Sequence, residues 1–326
     1  MDVSLLPRNT AQPSADSSIE VSIRGKWLRV PALEVCGQTI AVNGKWLKIA
    51  AVHDEEWLEN EITSPESCIR RMKEQTASAR ADIFSFAQKL PSITPRFGYP
   101  MELESIAVAR IGNFQNWWEG LPQESRKNVR RSQKRGVTIS RQEFGDELIR
   151  GIAEVQNECP VRQGRQYPHY GKTFEQVKRD HSGFVDRSDF LGAYLDGKLI
   201  GFLKVVYRGE VASILQLNSM AAHFDKRPAN ALLAKVVELC GSRGAAYLTY
   251  GRFNYGNKGD HSLREFKTRN GFEEMLVPRY YVPLTAWGRA CVRAKLYRGL
   301  LEILPHSIIA SVVTARSKWY ALTKRH

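Results

Sequence analysis

Residues 190–207 read Phe-Leu-Gly-Ala-Tyr-Leu-Asp-Gly-Lys-Leu-Ile-Gly-Phe-Leu-Lys-Val-Val-Tyr, two β-rich arms on either side of an Asp-Gly pair. Such a pair is the strongest short-range hairpin signal, because the favoured two-residue turn needs positive φ at both positions. A third β-rich run, 211–217, is reached through Arg208-Gly209-Glu210, so three consecutive antiparallel strands are expected. From Pro228 the apolar residues Ala231, Leu232, Ala234, Val236, Leu239 and Cys240 recur at helical spacing, and Gly241 and Gly244 supply the stop. Residues 245–251 then form a short strand. Since a helix carries the chain to it, that strand runs parallel to one already laid down. A short helix and a last strand close the stretch at Pro283. The fold class is therefore α/β (α+β), a mixed, mostly antiparallel sheet flanked by helices.

Three separated pieces of this sequence follow the order of one family. They are the basic run Ser125-Arg126-Lys127-Asn128-Val129-Arg130-Arg131-Ser132-Gln133-Lys134-Arg135-Gly136-Val137, the Asp-Gly-Lys-Leu-Ile-Gly hairpin with the helix start Pro228-Ala229-Asn230-Ala231-Leu232-Leu233, and the ending Phe266-Lys267-Thr268-Arg269-Asn270-Gly271-Phe272. Together they resemble the GNAT superfamily, and more narrowly the FemAB-like acyltransferases, which build two GNAT-like units in one chain. The resemblance spans residues 120–285. It implies a first, degenerate GNAT-like unit over 19–120 and an acyltransferase core over 121–285. A flexible tail at 1–18 and a basic amphipathic helical tail at 286–326 lie outside both.

With 326 residues and 43% hydrophobic content, the chain can fill one large core or two ordinary ones. Cys36, Cys68, Cys159, Cys240 and Cys291 are scattered, with no C-x-x-C pair and no His at ligand spacing; they read as reduced thiols, and no metal is expected. Residues 1–18 lack the apolar stretch of a signal peptide, and no apolar run reaches the ~20 residues of a spanning helix. A cytoplasmic protein, or one peripheral to the inner face of a membrane, is expected. The net charge of +14 is clustered: residues 122–141 hold seven Lys or Arg against one Glu, and residues 285–326 hold eight against one Glu. Clustered cations imply an anionic partner, whether tRNA or other nucleic acid, a phosphate-bearing small molecule or an acidic membrane surface. For the first cluster a solvated helix face is the bland alternative.

In the first third, runs 19–23 and 27–30 flank Arg24-Gly25-Lys26, and runs 39–42 and 46–51 flank Asn43-Gly44-Lys45. Both are hairpin signals, and they place Trp27 and Trp46 on one side of one sheet. His53-Asp54-Glu55-Glu56-Trp57 reads as a helix start, its acids at the positive end of the dipole. A longer helix is expected over 66–88, with Ile69, Met72, Ala79, Ile83, Phe84 and Ala87 on one side. A linker-like loop, 90–101, a strand, 104–111, and a helix running from Phe114 into the basic cluster follow.

Acyl transfer needs an activated donor, a polarised carbonyl and a destination for the acceptor's proton. The helix start after Asp225-Lys226-Arg227 sets small residues and backbone N–H groups beside two cations, which suits a phosphate. Arg227, Ala229, Asn230 and Ala231 are therefore the candidate co-substrate residues. The resemblance implies that the pyrophosphate of acyl-CoA lies there. Pro228-Ala229-Asn230 stands in place of the family's Gly-x-Gly, which equally fits FemAB-like enzymes that take the acyl group from aminoacyl-tRNA. No permanently bound cofactor is expected. A polar loop, 159–172, carries Arg162, Gln163 and Arg165, able to clamp phosphate or carboxylate, and His169 and Tyr170, able to stack on a ring or sugar. Gln216 and Asn218 on the third strand, Asn254 and Lys258 in a Gly-rich loop, Phe266, and Arg279 on the last strand complete the candidate substrate contacts. That Gly-rich loop follows the parallel strand, where ligands gather in α/β sheets, and offers Tyr250 and Tyr255 as catalytic candidates. The resemblance maps the family's Phe-Lys onto Phe266 and Lys267 and implies that Lys267 holds negative charge near the reacting group. With no Ser-His-Asp spacing and no paired carboxylates, direct attack by the acceptor is the simplest chemistry.

From Ala286 onward, Trp287, Ala290, Cys291, Ala294, Tyr297, Leu300, Leu301 and Leu304 form a stripe among Arg289, Arg293, Lys295 and Arg298, interrupted at Pro305. Such a helix lies on an anionic membrane surface or packs on the first unit. Two functions stay open. One is an acyltransferase acting on an amine or hydroxyl of a cell-envelope saccharide, peptide or lipid-linked precursor; the other is a non-catalytic RNA-binding protein on the same scaffold.

Overall fold

A computed structural model describes residues 18–23, 26–35, 37–53, 60–74, 80–162, 165–254 and 261–298. Of the expected tail at 1–18 only Ser18 is described, and it opens a strand; the helix start at 54–57 and everything beyond residue 298 lie outside the described residues. The chain begins with an antiparallel meander, β1 (Ser18–Ile23), β2 (Lys26–Val35), β3 (Gln38–Asn43) and β4 (Ile49–Val52). Helix α1 (Pro65–Lys73) leads to β5 (Ile83–Ala87), which runs parallel to β4. Strand β6 (Met101–Arg110) and helices α2 (Phe114–Gly120) and α3 (Gln123–Lys134) come next. Then follow β7 (Thr138–Gln142), α4 (Asp146–Asn157), the small hairpin β8 (Val161–Arg162) and β9 (Arg165–Gln166), and α5 (Phe174–His181). The expected hairpins are β10 (Ser188–Leu195), β11 (Lys198–Arg208) and β12 (Val211–Ser219), with Asp196 and Gly197 at φ 49° and 76° in the first turn. Helix α6 (Pro228–Ser242), β13 (Tyr247–Arg252), α7 (His261–Arg269), β14 (Glu273–Pro283) and α8 (Ala286–Arg293) complete the order.

The plan repeats. β7 pairs with β10, and β10, β11 and β12 continue a second antiparallel meander; across α6, β13 then runs parallel to β12, as β5 does to β4. Among the described residues twelve strands join one sheet in the order β1-β2-β3-β4-β5-β14-β6-β13-β12-β11-β10-β7. At its centre the halves trade strands. β6, which follows the first meander, pairs with β13 of the second; β14, which follows the second, pairs with β5 of the first; and the two pair with each other.

Both faces are covered. In the second half, α6 buries Leu232, Leu233, Val236 and Val237 against Leu203, Ala212, Ile214 and Leu248 on one face. On the other, α4 and α5 bury Leu148, Ile149, Ile152 and Val177 against Phe190 and Phe202. In the first half, α1 sets Cys68 and Met72 over Phe84 and Phe86, while α8 sets Cys291 over Leu47 and Ile83 on the reverse face. Each large apolar side chain so buried contributes ~1.5–3 kcal/mol.

Four expectations are corrected. The helix over 66–88 ends at Lys73, and residues 83–87 are β5. All five are buried, so Ile-Phe-Ser-Phe-Ala has no polar face to mark a strand's period. The helix from Phe114 is two helices, broken where Pro122 takes φ −53° and ψ 143° before α3. Helix α8 stops at Arg293, followed by Lys295 at φ 55° and a 3-10 turn, Leu296–Arg298. Finally, Trp27 and Trp46 do not share a sheet face. Trp27 carries the Arg179 guanidinium over its ring at 4.1 Å and donates to Asp180 on α5, while Trp46 lies in the β3–β4 turn against Trp287.

Candidate functional site

β12 and β13 are paired over three rungs only, Val211 with Tyr247, Ala212 with Leu248 and Ser213 with Thr249. Beyond them β12 stays with β11 and β13 stays with β6. The sheet therefore opens a gap between residues 214–215 and 250–252, and backbone groups on its rim are released from the ladder. β4 and β5 are likewise paired only from Ile49 to Ala51 with Ile83 to Ser85. A cavity of about 430 Å³ spans the face between these two divergences, reached by Ile49 and Ser85 from the first half and by Ser213, Ile214, Thr249 and Tyr250 from the second. Glu104, Arg279 and Tyr281 from the exchanged strands lie between them.

The cavity is polar and charged. The Glu104 carboxylate accepts from Arg279 Nε at 2.8 Å and lies 3.9 Å from the Arg252 guanidinium. Arg279 also reaches Ser85 Oγ at 3.3 Å. Thr249 Oγ1 donates to Ser213 Oγ at 2.9 Å, joining the side chains on the last rung before the gap. Lys89, Arg252 and Arg279 line the cavity together with Glu104. Tyr281 stacks on Tyr297 with ring centroids 4.1 Å apart, and burial pushes its phenol well above its ordinary pKa.

Of the catalytic candidates, Tyr250 lines the cavity and Tyr255 lies outside the described residues. Lys267 is fully buried on α7. Its Nζ donates to Tyr250 O and Arg252 O, each at 2.6 Å, and sits 4.5 Å from the Tyr250 ring centroid. It thus grips the diverging end of β13 instead of pointing into the cavity. Desolvation lowers its pKa to about 8. Phe266 packs on the α6 core, and Arg279 is in the cavity as described. Asn254 turns to the reverse face, where its Nδ2 donates to Glu274 at 2.6 Å and its N–H to Ser105 Oγ at 3.1 Å; Lys258 lies outside the described residues.

The polar loop is a brace more than a clamp. Arg162 donates to Val155 O at 2.9 Å and lies over the Tyr167 ring at 4.2 Å, so its guanidinium is engaged within the fold. Tyr167 OH in turn donates to Asn218 Oδ1 at 3.0 Å, and Gln156 Nε2 donates to Gln216 Oε1 at 3.4 Å. His169 lies 5.3 Å from Tyr167, ring to ring, and burial holds its pKa below the ordinary value, while Tyr170 is exposed. Gln163 lies outside the described residues, and of Arg165 only the backbone is described.

The start of α6 corrects the phosphate expectation in part. Pro228 has no N–H, and the amides of Asn230 and Ala231 both donate to Arg227 O. Asn230 Nδ2 donates to Asn270 Oδ1 at 2.9 Å, and Asn270 Nδ2 to Phe266 O at 2.7 Å, so Asn230 ties α6 to α7. Ala231 is buried and Ala229 half-buried; of the four residues only Arg227, at φ 58°, is exposed. On the same side, α3 buries Ser125, Val129 and Ser132 and exposes Lys127, Arg130, Lys134 and Arg135. The basic surface and the cavity thus occupy opposite faces of the sheet.

Glu104, Ser85, Ser213 and Thr249 are cavity residues that the sequence reading does not single out, whereas Arg252 lies at the start of its Gly-rich loop and Tyr281 beside Arg279 on the last strand. The one signal was a charge inside a strand pattern, at Glu104 and Arg279. Among the described residues no cluster of His, Cys, Asp and Glu could hold a metal ion, and no helix is long and apolar enough to cross a membrane.

No family model and no curated protein matches the chain. Solved structures do. FemX is similar at TM-score 0.56 and 11% identity, over 81% of this chain and 87% of its own. The C-terminal domain of a putative lysylphosphatidylglycerol synthetase from Agrobacterium fabrum gives 0.52 and 15%, over 82% and 88%. L-PGS from Bacillus licheniformis gives 0.52 and 14%, over 81% and 88%. At such identities the likeness is one of fold. The chain has the fold of these proteins, with two similar halves sharing one sheet.

Proposed function

We propose that this chain, built on the FemX-type fold, is an acyl- or aminoacyltransferase whose donor approaches from the α3–α6–α7 face and whose acceptor occupies the cavity. The observation that carries the reading is the gap between β12 and β13, whose rim opens on the charged cavity. The acceptor's amine or hydroxyl attacks the donor carbonyl through this gap, the ester or thioester C–O or C–S bond breaks, and the donor leaves as its hydroxyl or thiol. Glu104, the cavity carboxylate, takes the acceptor's proton and yields it to the departing oxygen or sulfur, and Arg252 and Arg279 hold the carboxylate in place. Lys267 acts from behind the gap as a positioning residue, its charge favouring negative charge on the carbonyl oxygen.

The exposed Arg252 guanidinium at the cavity favours an anionic acceptor, such as a phosphate- or carboxylate-bearing cell-envelope saccharide, peptide or lipid-linked precursor. For the donor, the scarcity of open amides at the start of α6 and the cations of α3 favour aminoacyl-tRNA over acyl-CoA. The same cations support the second reading, a non-catalytic RNA binder. Titrating acyl-CoA and aminoacyl-tRNA separately into the protein at two salt concentrations tests both. Salt-sensitive tRNA binding with transfer that collapses in Glu104→Gln is the expected result. RNA binding without transfer supports the binder, and binding of neither donor rejects the transferase.

A further inference from the structure

The β3–β4 turn and α8, far apart in sequence, meet at the surface through two indoles. Trp287 Nε1 donates to Trp46 O at 3.0 Å, and the rings meet edge-on with centroids 6.1 Å apart. They stay 47% and 53% exposed, respectively, which is unusual for side chains of this size. In the same two segments Lys45, Arg289, Arg293 and Lys295 are exposed, and residues 286–298 contain no Asp or Glu. An indole has an apolar body and one N–H donor, so it is best placed at the boundary between hydrocarbon and water. Cations beside it are drawn to anionic headgroups.

The support under this patch is rigid. A Cβ on Gly288 would lie 1.9 Å from Asp82 O, so α8 approaches the chain as closely as backbone allows. Thr285 Oγ1 caps the helix by accepting from Gly288 N and donates to Asp82, while Cys291 is buried with Leu47 and Ile83. Because Gly288 and Cys291 on the inner side of α8 are committed to the sheet, Arg289 and Arg293, four residues apart, share its outer side, with Trp287 on the flank toward the β3–β4 turn. Ile49 and Tyr281 belong both to the cluster beneath α8 and to the cavity wall, so the patch lies one layer of side chains from the cavity.

We propose that the Trp46–Trp287 pair and the cations of α8 form a docking surface for an anionic lipid bilayer. The charge argues for lipid of net negative charge, and the indole pair argues for a bilayer interface over a purely electrostatic partner. The surface stands independently of the transferase reading.

Sedimentation of the full chain with phosphatidylcholine vesicles, with and without phosphatidylglycerol, tests it. Binding only to the anionic vesicles is expected, reversed by salt and accompanied by a blue shift of tryptophan emission. Arg289→Glu with Arg293→Glu should weaken that binding at least about tenfold, and Trp46→Ala should remove part of the shift. Each replaces exposed side chains, and an unchanged melting temperature confirms that the fold survives. Equal binding to both vesicle types, binding that neither variant affects, or loss of RNA binding alone in the charge variant overturns the proposal. Transfer to a soluble acceptor should persist in the charge variant, which separates failure of docking from failure of catalysis.

Discussion

Lys267 was legible as a residue but not as a contact. The Phe-Lys of the resemblance drew attention to it, yet only the fold puts its amine against two backbone carbonyls at the end of β13. Burial disfavours the charged form and lowers its pKa to about 8. Between about 8 and the ordinary 10.5 the unfolded chain binds more protons than the folded one, so this residue's contribution to stability rises with pH across that window. Lys267→Met should abolish the rise, read from urea midpoints against pH, and should cost ~1–3 kcal/mol near neutrality by leaving the carbonyls without their donor. If the ammonium assists transfer, kcat/KM should fall above pH about 8. His181 works at the other end of the scale, held down to about 3 by burial. Its folded pKa lies below its unfolded one, so stability should drain away as pH falls from 6.5 towards 3, and His181→Phe should flatten that acid limb. Neither shift was readable in advance, because each depends on how deeply a residue of unremarkable sequence context is buried.

At the scale of elements, legibility followed chemistry that is local. The Asp196-Gly197 hairpin and the α6 crossover were found because positive φ, glycine stops and helical spacing are written in neighbouring residues. β5 was lost because a strand buried on both faces carries no alternation, and the cavity's charges were lost because Glu104 and Arg279 meet only after β6 and β14 pair. Among the helices, α8 depends on one close approach. Gly288→Ala would drive a methyl into Asp82 O, and overpacking of this kind costs ~1–3 kcal/mol. A lowered melting temperature with increased proteolysis after Arg293 is the expected signature. An unchanged melting temperature would show that α8 is not fixed against the sheet as described.

For the molecule as a whole, the central feature is the exchange of β6 and β14. Neither half keeps the strand that follows its own meander, so each completes the other's sheet. Urea unfolding should accordingly be a single transition, with tryptophan fluorescence and far-ultraviolet circular dichroism superimposing; two separated transitions would show that the halves are independent. A fragment of residues 1–120 should fail to fold alone, because β5 and β6 would present open edges.

The exchange also sets a schedule for synthesis. β5 ends at Ala87 and its partner β14 begins at Glu273, so at ~5–20 residues per second the ribosome leaves the middle of the sheet open for on the order of ten to forty seconds. During that interval β5 and β6 must not close on each other, since the place between them is reserved. The last strand of the sheet to be made is the one inserted at its centre, so a nascent chain stalled before residue 273 would hold nearly all of this fold and none of its closure.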